Sequence, residues 1–411
     1  MTSQSESQDR SHNADPHGTV FAIIFAIAAC HMLNDMMQSL LPAIYPSLKQ
    51  KLALSFTQIG FVTLAFQCTA SLLQPLVGWV GDKRSLPLLL PVGAAASGIG
   101  LLLLAHADSY PMLLIAAAMV GIGSSTFHPE SSRVARMAAG PRPGLAQSMF
   151  QVGGNTGSAL GPLLAAFIVG AEGQTSLMWF ALLSVVSIVI LSFVARWHKG
   201  HGVKRSRHAR PSHFAHLSKK QVMGAFAVLL TLIFSKFFYL TAFTSYYTFY
   251  LIEHFHLTVR DSQIDLFIFL AAAAFGTFAG GPIGDRFGRK NVIWFSILGA
   301  APFALVLPYA DLAWTIILST VISVILSSAF SAIVVYGQEL LPGKVGAVSG
   351  MFFGFAFGMA GIGAAVLGAM ADHIGIENVY RVAAFLPLIG LIAFFLPKPA
   401  KASEVCLKQF R

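Results

Sequence analysis

The stretch from Gly280 to Lys290, GGPIGDRFGRK, has a related copy earlier in the chain, GWVGDKRS at residues 78–85. Asp285 in the later copy aligns with Asp82 in the earlier one at an offset of 203 residues. Each copy follows a long apolar run, and further residue pairs share nearly the same offset. The chain is therefore predicted to consist of two related halves that run in the same orientation.

The composition indicates a membrane protein. Of 411 residues, 55% are hydrophobic and 11% are charged, whereas about 25% of the residues of a soluble domain are charged. Apolar runs of roughly 20 residues recur, and a helix of about that length crosses the ~30 Å hydrocarbon core of a bilayer. The sequence predicts an all-α membrane protein with twelve transmembrane helices.

One long basic loop divides these helices six and six. The predicted organisation is a polar cytoplasmic N-terminus at 1–18, a six-helix bundle at 19–196, a basic cytoplasmic linker at 197–220, a second six-helix bundle at 221–397 and a cytoplasmic tail at 398–411.

The positions of the basic residues predict this orientation. With a cytoplasmic N-terminus, only four of the 27 Lys and Arg residues fall in outer loops, namely Lys49, Lys51, Arg260 and Arg381. Lys236 lies in the middle of a span. Because cytoplasmic loops are enriched in Lys and Arg, both termini are predicted to be cytoplasmic.

Several classes of protein are disfavoured. The net charge of +10 does not indicate nucleic-acid binding, because no base-reading module is visible; the basic linker is either a cytoplasmic connection or a contact site for anionic lipids. The three cysteines show no disulfide or zinc spacing. No nucleophile constellation or phosphate-binding loop suggests an enzyme. We expect a monomer in contact with membrane lipids, with no cofactor and no metal.

The two related loops resemble the loop motif of the major facilitator superfamily, G-x-x-x-D-[RK]-x-G-[RK]-[RK]. The earlier copy departs from the motif at Ser85, where the motif has glycine. The resemblance implies a major facilitator fold, in which two pseudo-symmetric six-helix bundles open alternately to the two sides of the membrane. The residues expected to act in gating are Gly78, Asp82, Lys83, Gly281, Asp285, Arg286 and Arg289, with Glu339 in the tenth span.

A second motif lies in the fifth span. Gly157, Gly161 and Pro162 resemble the G-x-x-x-G-P signature of the antiporter branch of this superfamily, although Ala165 and Ala166 replace its usual trailing glycines. Glycines spaced by four residues form a smooth helix face, which indicates close helix packing. The resemblance adds the expectation of antiport.

Longer stretches resemble one family within the superfamily. HMLNDMMQSLLPAIYP (31–46), FHPESSRVARMA (127–138) and GLAQSMFQVGGN (144–155) are similar to the fosmidomycin resistance family of bacterial inner membranes. The resemblance implies a proton-driven exporter of fosmidomycin, a small anionic hydroxamate phosphonate, with protons as the coupling ion.

The first span carries a polar face. His31, Asn34, Asp35 and Gln38 follow helical spacing, so they are expected to line a cavity near mid-membrane. Asp35 and His31 are candidate proton carriers. The alternatives are that Asp35 is permanently tied to a neighbouring donor and that His31 is a polar packing residue. The His31 and Asp35 spacing lacks further metal ligands, so no metal is predicted.

In the seventh span, Lys236 is the candidate substrate ligand. A buried ammonium group needs an anion, either a phosphonate or an internal partner such as Asp35. Tyr239 and Tyr247 are placed on its face of the helix, and Asn34 and Gln38 on the first span are expected to help bind substrate. Further neutral candidate ligands, which could instead form interhelical hydrogen bonds, are Gln67, Gln151 and Asn155.

The fourth span ends with His128, Glu130 and Arg133 beside Pro129. Glu130 and Arg133 can pair at spacing i, i+3, and Pro129 bends the helix. This group is either a charge cluster that anchors the interface or a relay, with His128 and Glu130 carrying protons and Arg133 recruiting an anion.

Two functions remain in competition after the resemblance. The first is the proton-coupled antiporter that exports a phosphonate. The second is a proton symporter that imports an organic or phosphorylated anion through the same cavity.

Overall fold

The computed structural model describes residues 19–84, 86–206, 214 and 216–398, with the backbone alone at 143, 201–206, 281, 282 and 285. Its described elements are all helices. Eleven helices are long and apolar enough to cross a membrane, and the shorter apolar helix Leu89–Ala105 occupies the place of the predicted third span. The predicted all-α fold is confirmed.

The twelve spans, labelled in chain order, are α1 (Phe21–Ala43), α2 (Phe56–Lys83), α3 (Leu89–Ala105), α4 (Tyr110–Ala138), α5 (Gly144–Glu172), α6 (Gln174–Gly200), α7 (Lys219–Phe255), α8 (Val259–Phe287), α9 (Arg289–Tyr309), α10 (Leu312–Leu340), α11 (Val345–Ile374) and α12 (Ile376–Phe395). Odd-numbered helices start at the end of the bundle where Val20 lies, called here the terminus side; even-numbered helices start at the opposite side.

The internal duplication is visible in how helices begin. Ser55 caps α2 by accepting a hydrogen bond from the Gln58 backbone amide at 3.1 Å. At the equivalent place in the second half, Thr258 caps α8 by accepting from the Asp261 amide at 3.1 Å. A hydroxyl acceptor at this position satisfies an amide that has no intrahelical partner. The two halves therefore repeat the same local start signal.

Glycines set the distance between helices. A Cβ atom on Gly153 or Gly157 would collide with the backbone of α1 at Ala28 or Met32. Only a residue without a side chain permits this approach. The predicted packing face of α5 is thus confirmed, and it fixes α1 against α5.

One boundary differs from prediction. Beyond the apolar span Gln174–Gly200, the α6 helix continues to Ser206, past the predicted start of the linker at 197. Most of the remaining linker, the predicted N-terminus at 1–18 and all but Lys398 of the tail predicted at 398–411 lie outside the described residues.

Candidate functional site

A cavity of about 240 Å³ lies between the two halves. Its walls come from α1, α2, α4 and α5 in the first half and from α7, α8, α10 and α11 in the second. The predicted site residues on its wall are His31, Asp35, Gln38, Gln67, His128, Gln151, Asn155 and Lys236. The structure thus brings together residues that the sequence assigned to five different spans.

Three of these residues form a cluster on the first half. Asp35 Oδ2 lies 3.2 Å from His31 Nε2, and Asp35 Oδ1 lies 3.5 Å from His128 Nε2. The two Nε2 atoms are 3.2 Å apart. Both rings are almost fully buried, at 2% and 1% exposure. We call His31, Asp35 and His128 the acceptor cluster.

Neighbouring groups restrict which ring nitrogens carry hydrogen. His31 Nδ1 is 2.7 Å from Phe150 O, and a carbonyl oxygen can only accept, so His31 Nδ1 donates and its Nε2 presents a lone pair. His128 Nδ1 is 3.1 Å from both Ser124 O and Ser124 Oγ, and a hydroxyl can donate as well as accept. His128 therefore either carries hydrogen on Nε2 and donates to His31 or Asp35, or carries it on Nδ1. In the second form the two Nε2 lone pairs and the Asp35 carboxylate face one another, and an added proton lets one of these groups donate to a neighbour.

The cluster is supported on two sides. Asn34 is buried and does not line the cavity; its amide donates to Asp35 Oδ1 at 3.1 Å. This corrects its predicted role as a substrate ligand, because its side chain is engaged behind the carboxylate. Gly154 of α5 leaves the space for His31, since a Cβ atom there would lie 2.5 Å from His31 Nε2.

The same three groups offer ligand atoms within 4.8 Å of one another, which is the kind of grouping that can hold a metal ion. A closed structural zinc site takes four protein ligands, whereas an open site takes three. His128 is a further potential ligand that the spacing of His31 and Asp35 did not show, so the reason given for expecting no metal is corrected.

Lys236 lies on the opposing half. It is 3% exposed, and none of the described carboxylates lies within 4.0 Å of its Nζ atom. Nζ instead approaches the Phe330 ring, 5.3 Å from its centroid. The predicted alternative of a direct pair with Asp35 is not formed, because Asp35 contacts the two histidines. The ammonium group therefore faces the cavity without a counter-ion from the part of the chain that the structure describes.

Tyr239 and Tyr247 were expected beside Lys236, and this expectation was wrong. Tyr247 hydrogen-bonds Ser319 at 3.0 Å, and Tyr239 packs edge-on against Phe243. Lys236 lies at one edge of the face of α7 that lines the cavity. Tyr239 and Tyr247 lie beyond that edge, so their side chains point into the helix bundle. The other residues of this face are Phe237, Leu240, Thr241, Thr244 and Ser245.

Glu130 and Arg133 form a buried pair outside the cavity wall. Arg133 donates to both carboxylate oxygens of Glu130, at 2.6 and 3.0 Å, and Arg133 also donates to His198 Nε2 at 2.5 Å. His198 was missed by the sequence, which placed it in the linker. The predicted anion-recruiting role of Arg133 in the cavity is corrected, since Glu130 and His198 already engage its guanidinium. The predicted pairing of Glu130 with Arg133 is formed, and Glu130 does not line the cavity.

Two of the three predicted gating residues of the first half, Gly78 and Asp82, contact the second half. Asp82 accepts hydrogen bonds from the backbone amides of Gly346 and Ala347, both at 2.9 Å, as expected for a helix-capping aspartate. A Cβ atom on Gly78 would collide with Gly346. Lys83 lies over the Trp79 ring of its own helix, at 3.5 Å. These contacts close the terminus side between α2 and α11.

In the second half, the structure describes only the backbone at Gly281 and Asp285. Arg286 lies over the ring of its neighbour Phe287, and Arg289 pairs with Glu339 at 2.6 Å. The Arg289 and Glu339 pair joins α9 to α10 within that half.

The remaining predicted residues have mixed placements. Gly161 packs against Ser39, and Pro162 lines the cavity. Asn155 lines the cavity but donates across the halves to Thr277 at 2.5 Å, so it connects α5 with α8. Residues missed from the sequence include Thr244, Ser245, Thr277 and Ser327. Ser and Thr occur in many apolar helices, and no local sequence pattern marks these four as cavity residues.

A cavity between two repeated six-helix halves, with ionisable groups on its wall, defines a transporter of the alternating-access class. The sequence profile of the Major Facilitator Superfamily matches residues 27–361 and 253–409. The chain is 55% identical to the fosmidomycin resistance protein of Escherichia coli over 92% of this chain and 93% of that one. It is 42% identical to an uncharacterised transporter of the same type from Bacillus subtilis, over 95% and 96% of the two chains.

Among solved structures, the fucose:proton symporter FucP of E. coli has a TM-score of 0.65, with 16% identity, 91% of this chain covered and 98% of that one. This likeness concerns the fold alone. The chain belongs to the Major Facilitator Superfamily.

Proposed function

We propose that this protein is a proton-coupled antiporter that exports fosmidomycin, or a similar small anionic compound, across a bacterial inner membrane. The observation that carries the proposal is that two kinds of ionisable group line the same cavity. It holds the acceptor cluster, which can take up a proton, and, on the other half, an ammonium group that has no carboxylate of the described residues within 4.0 Å. Groups for a proton and for the anionic end of a guest thus lie on different halves.

Lys236 supports the anionic guest. A charged amine in a low-dielectric site is stabilised when an anion with hydrogen-bond acceptors contacts it. A phosphonate oxygen meets this requirement. The cavity volume of about 240 Å³ lies below the range of about 300–1,000 Å³ typical of drug-sized ligands, so it favours a small guest. The resistance to fosmidomycin named for the E. coli relative agrees with such a guest.

Competition for the acceptor cluster supports antiport. When the cavity is empty, a proton bound to the acceptor cluster lets one of its three groups donate to another. A hydroxyl donor on the guest, such as that of a hydroxamate, could satisfy the same acceptors in its place. Because proton and guest then exclude each other, binding one releases the other, and this is the negative coupling that exchange requires.

One feature of the same geometry favours a second candidate. A protonated acceptor cluster adds positive charge to the cavity that also contains Lys236, and this charge would attract an anion. Proton and anion would then bind together. A proton symporter that imports an organic or phosphorylated anion is therefore the alternative function.

The topology is part of the proposal. The terminus side is taken as cytoplasmic, because only Lys49, Lys51, Arg260 and Arg381 lie in loops of the opposite side. The protein would be a monomer that needs no partner other than lipid, and it would perform no chemical reaction on its guest.

Inverted membrane vesicles containing the protein separate the two candidates. Their lumen corresponds to the outside of the cell. An acidic lumen should drive fosmidomycin into the vesicles if the protein is an antiporter, and nigericin, which collapses the pH difference, should abolish the uptake. An acidic lumen that instead drives efflux of preloaded fosmidomycin would establish symport. Equal fluxes with and without the gradient would contradict proton coupling altogether.

A further inference from the structure

The helices α2 and α11, one from each half, run antiparallel and pack closely along their length. A Cβ atom on Gly60 would lie 2.7 Å from Ala364 O, and one on Gly368 would lie 2.7 Å from Phe56 O. Towards the terminus side, Gly350 packs against Gln74 in the same way. This helix pair is therefore a continuous contact between the two halves.

Each helix of the pair supplies a cap for the start of the other. At the terminus side this cap is Asp82, at the end of α2, which accepts from the first amides of α11. At the opposite side it is Asp372, near the end of α11. Its carboxylate accepts from the Phe56 amide at 3.1 Å, from the Thr57 amide at 2.8 Å and from the Thr57 hydroxyl at 2.5 Å.

The Asp372 contact has a specific electrostatic reason. The first amides of a helix have no partner within the helix, and they carry partial positive charge. Ser55, the local cap of α2, takes the Gln58 amide and leaves those of Phe56 and Thr57 available. Asp372 binds both, from the other half of the protein. Asp372 belongs to neither of the two related loop motifs at 78–85 and 280–290.

We propose that Asp372 is the gate residue of the side opposite the termini, and that it closes this side as Asp82 closes the terminus side. The two caps lie at opposite ends of one antiparallel helix pair. Rocking of the halves opens one end of this pair while the other end stays together. Opening towards the outside must therefore break the three Asp372 contacts, and opening towards the cytoplasm must break the two Asp82 contacts. Both sets are formed in this structure, so it represents a state closed at both ends of this pair.

The inference depends on alternating access and on the proposed topology, not on the identity of the guest or the coupling ion. A labelling experiment can test it without transport. Cys30, Cys68 and Cys406 are first replaced by serine, and Thr244→Cys then places one thiol on the cavity wall. Labelling by a membrane-impermeant maleimide is measured in right-side-out and inverted vesicles.

Asp372→Asn removes the negative charge but keeps the size of the side chain. Because Asp372 is exposed and water competes for its contacts, the expected rise in labelling from the outside is about three- to tenfold, with no rise from the inside. Asp82→Asn should show the reverse. Asp311→Asn is the matched control, since Asp311 caps the start of its own helix, α10, on the same side, and should leave both rates unchanged.

Thr57→Val gives a second measurement that preserves the charge. It removes the hydroxyl contact and retains both amide contacts, so outside labelling should rise by a smaller factor than in Asp372→Asn. Unchanged outside labelling in both variants would overturn the proposal. An equal rise from both sides would also overturn it, because general loosening of the bundle is not gating of one side. A failure of proton-driven fosmidomycin transport would leave these labelling results unaffected.

Discussion

The Nε2 atoms of His31 and His128 lie 3.2 Å apart, although 97 positions separate the two residues in the sequence. Both rings are held from behind by backbone carbonyls, so they cannot turn away without losing a buried hydrogen bond. At this distance the contact is favourable when one of the two Nε2 atoms carries a hydrogen, since two facing lone pairs repel each other. We therefore expect the relative position of α1 and α4 to depend on the protonation of this pair.

Replacing Asp35 by asparagine should uncouple transport from the proton gradient. The amide cannot exchange a proton at physiological pH, whereas the size of the side chain and its contact with His31 are kept. We expect gradient-driven uptake of fosmidomycin into inverted vesicles to fall at least about tenfold, the effect of about 1.4 kcal/mol. Exchange of labelled for unlabelled fosmidomycin without a gradient should persist. Unchanged gradient-driven uptake would remove Asp35 from the coupling role.

Lys236→Met should weaken binding of the anionic guest. A hydrogen bond to a charged group contributes about 1.5–3 kcal/mol, so Kd should rise by roughly ten- to a hundredfold. Lys236→Arg, which keeps the charge, should retain more affinity. The exposed Lys344 offers the control Lys344→Met, which should bind normally. Competition binding in detergent measures all three variants, and equal affinity of wild type and Lys236→Met would place the anion elsewhere.

Gly154→Ala should disturb the acceptor cluster. The new methyl would lie 2.5 Å from His31 Nε2 and 2.8 Å from Asp35 Oδ2, so the ring must move. Overpacking of this kind costs about 1–3 kcal/mol, and proton-driven transport should fall with it. Gly224→Ala in α7 is the control, because no atom of the described residues lies within 4 Å of its added methyl. Normal gradient-driven transport by Gly154→Ala would show that the cluster geometry is not needed for coupling.

Glu130→Gln should destabilise the fold more than it affects guest binding. It leaves the Arg133 guanidinium buried without its carboxylate, and breaking such a pair costs about 3–5 kcal/mol. Glu377→Gln breaks the partly exposed pair with His254, whose side chains are 48% and 30% exposed, and should cost no more than about 1 kcal/mol. Denaturant unfolding in mixed micelles compares the two. Similar stability losses would argue against the structural role assigned to Glu130.

Much of the site could be predicted because placing an ionisable residue in a membrane span costs free energy. Asp35 and Lys236 interrupt apolar spans, and such residues usually face a cavity or pair with another group. The helical spacing of His31, Asp35 and Gln38 placed them on one face correctly. The same reasoning misplaced Tyr239 and Tyr247, because spacing gives the angle between residues around one helix but not the direction in which the cavity lies.

The prediction for Arg133 and Glu130 was incomplete for a related reason. Their spacing showed that they could pair, and they do. It could not show that His198, from a segment assigned to the linker, completes the group, or that Gly81 packs over the carboxylate. Burial of this cluster depends on how α2 and α6 pack against α4.

The sequence by itself determined the membrane class and the repeated halves, since hydropathy and duplication can be read along the chain without knowing how its helices pack. The tertiary structure alone decided that His128 meets Asp35, that Lys236 has no counter-ion among the described residues and that Asp372 caps α2. These contacts join separate helices, and glycine faces and helix packing fix their distances. No periodicity within a single helix contains that information.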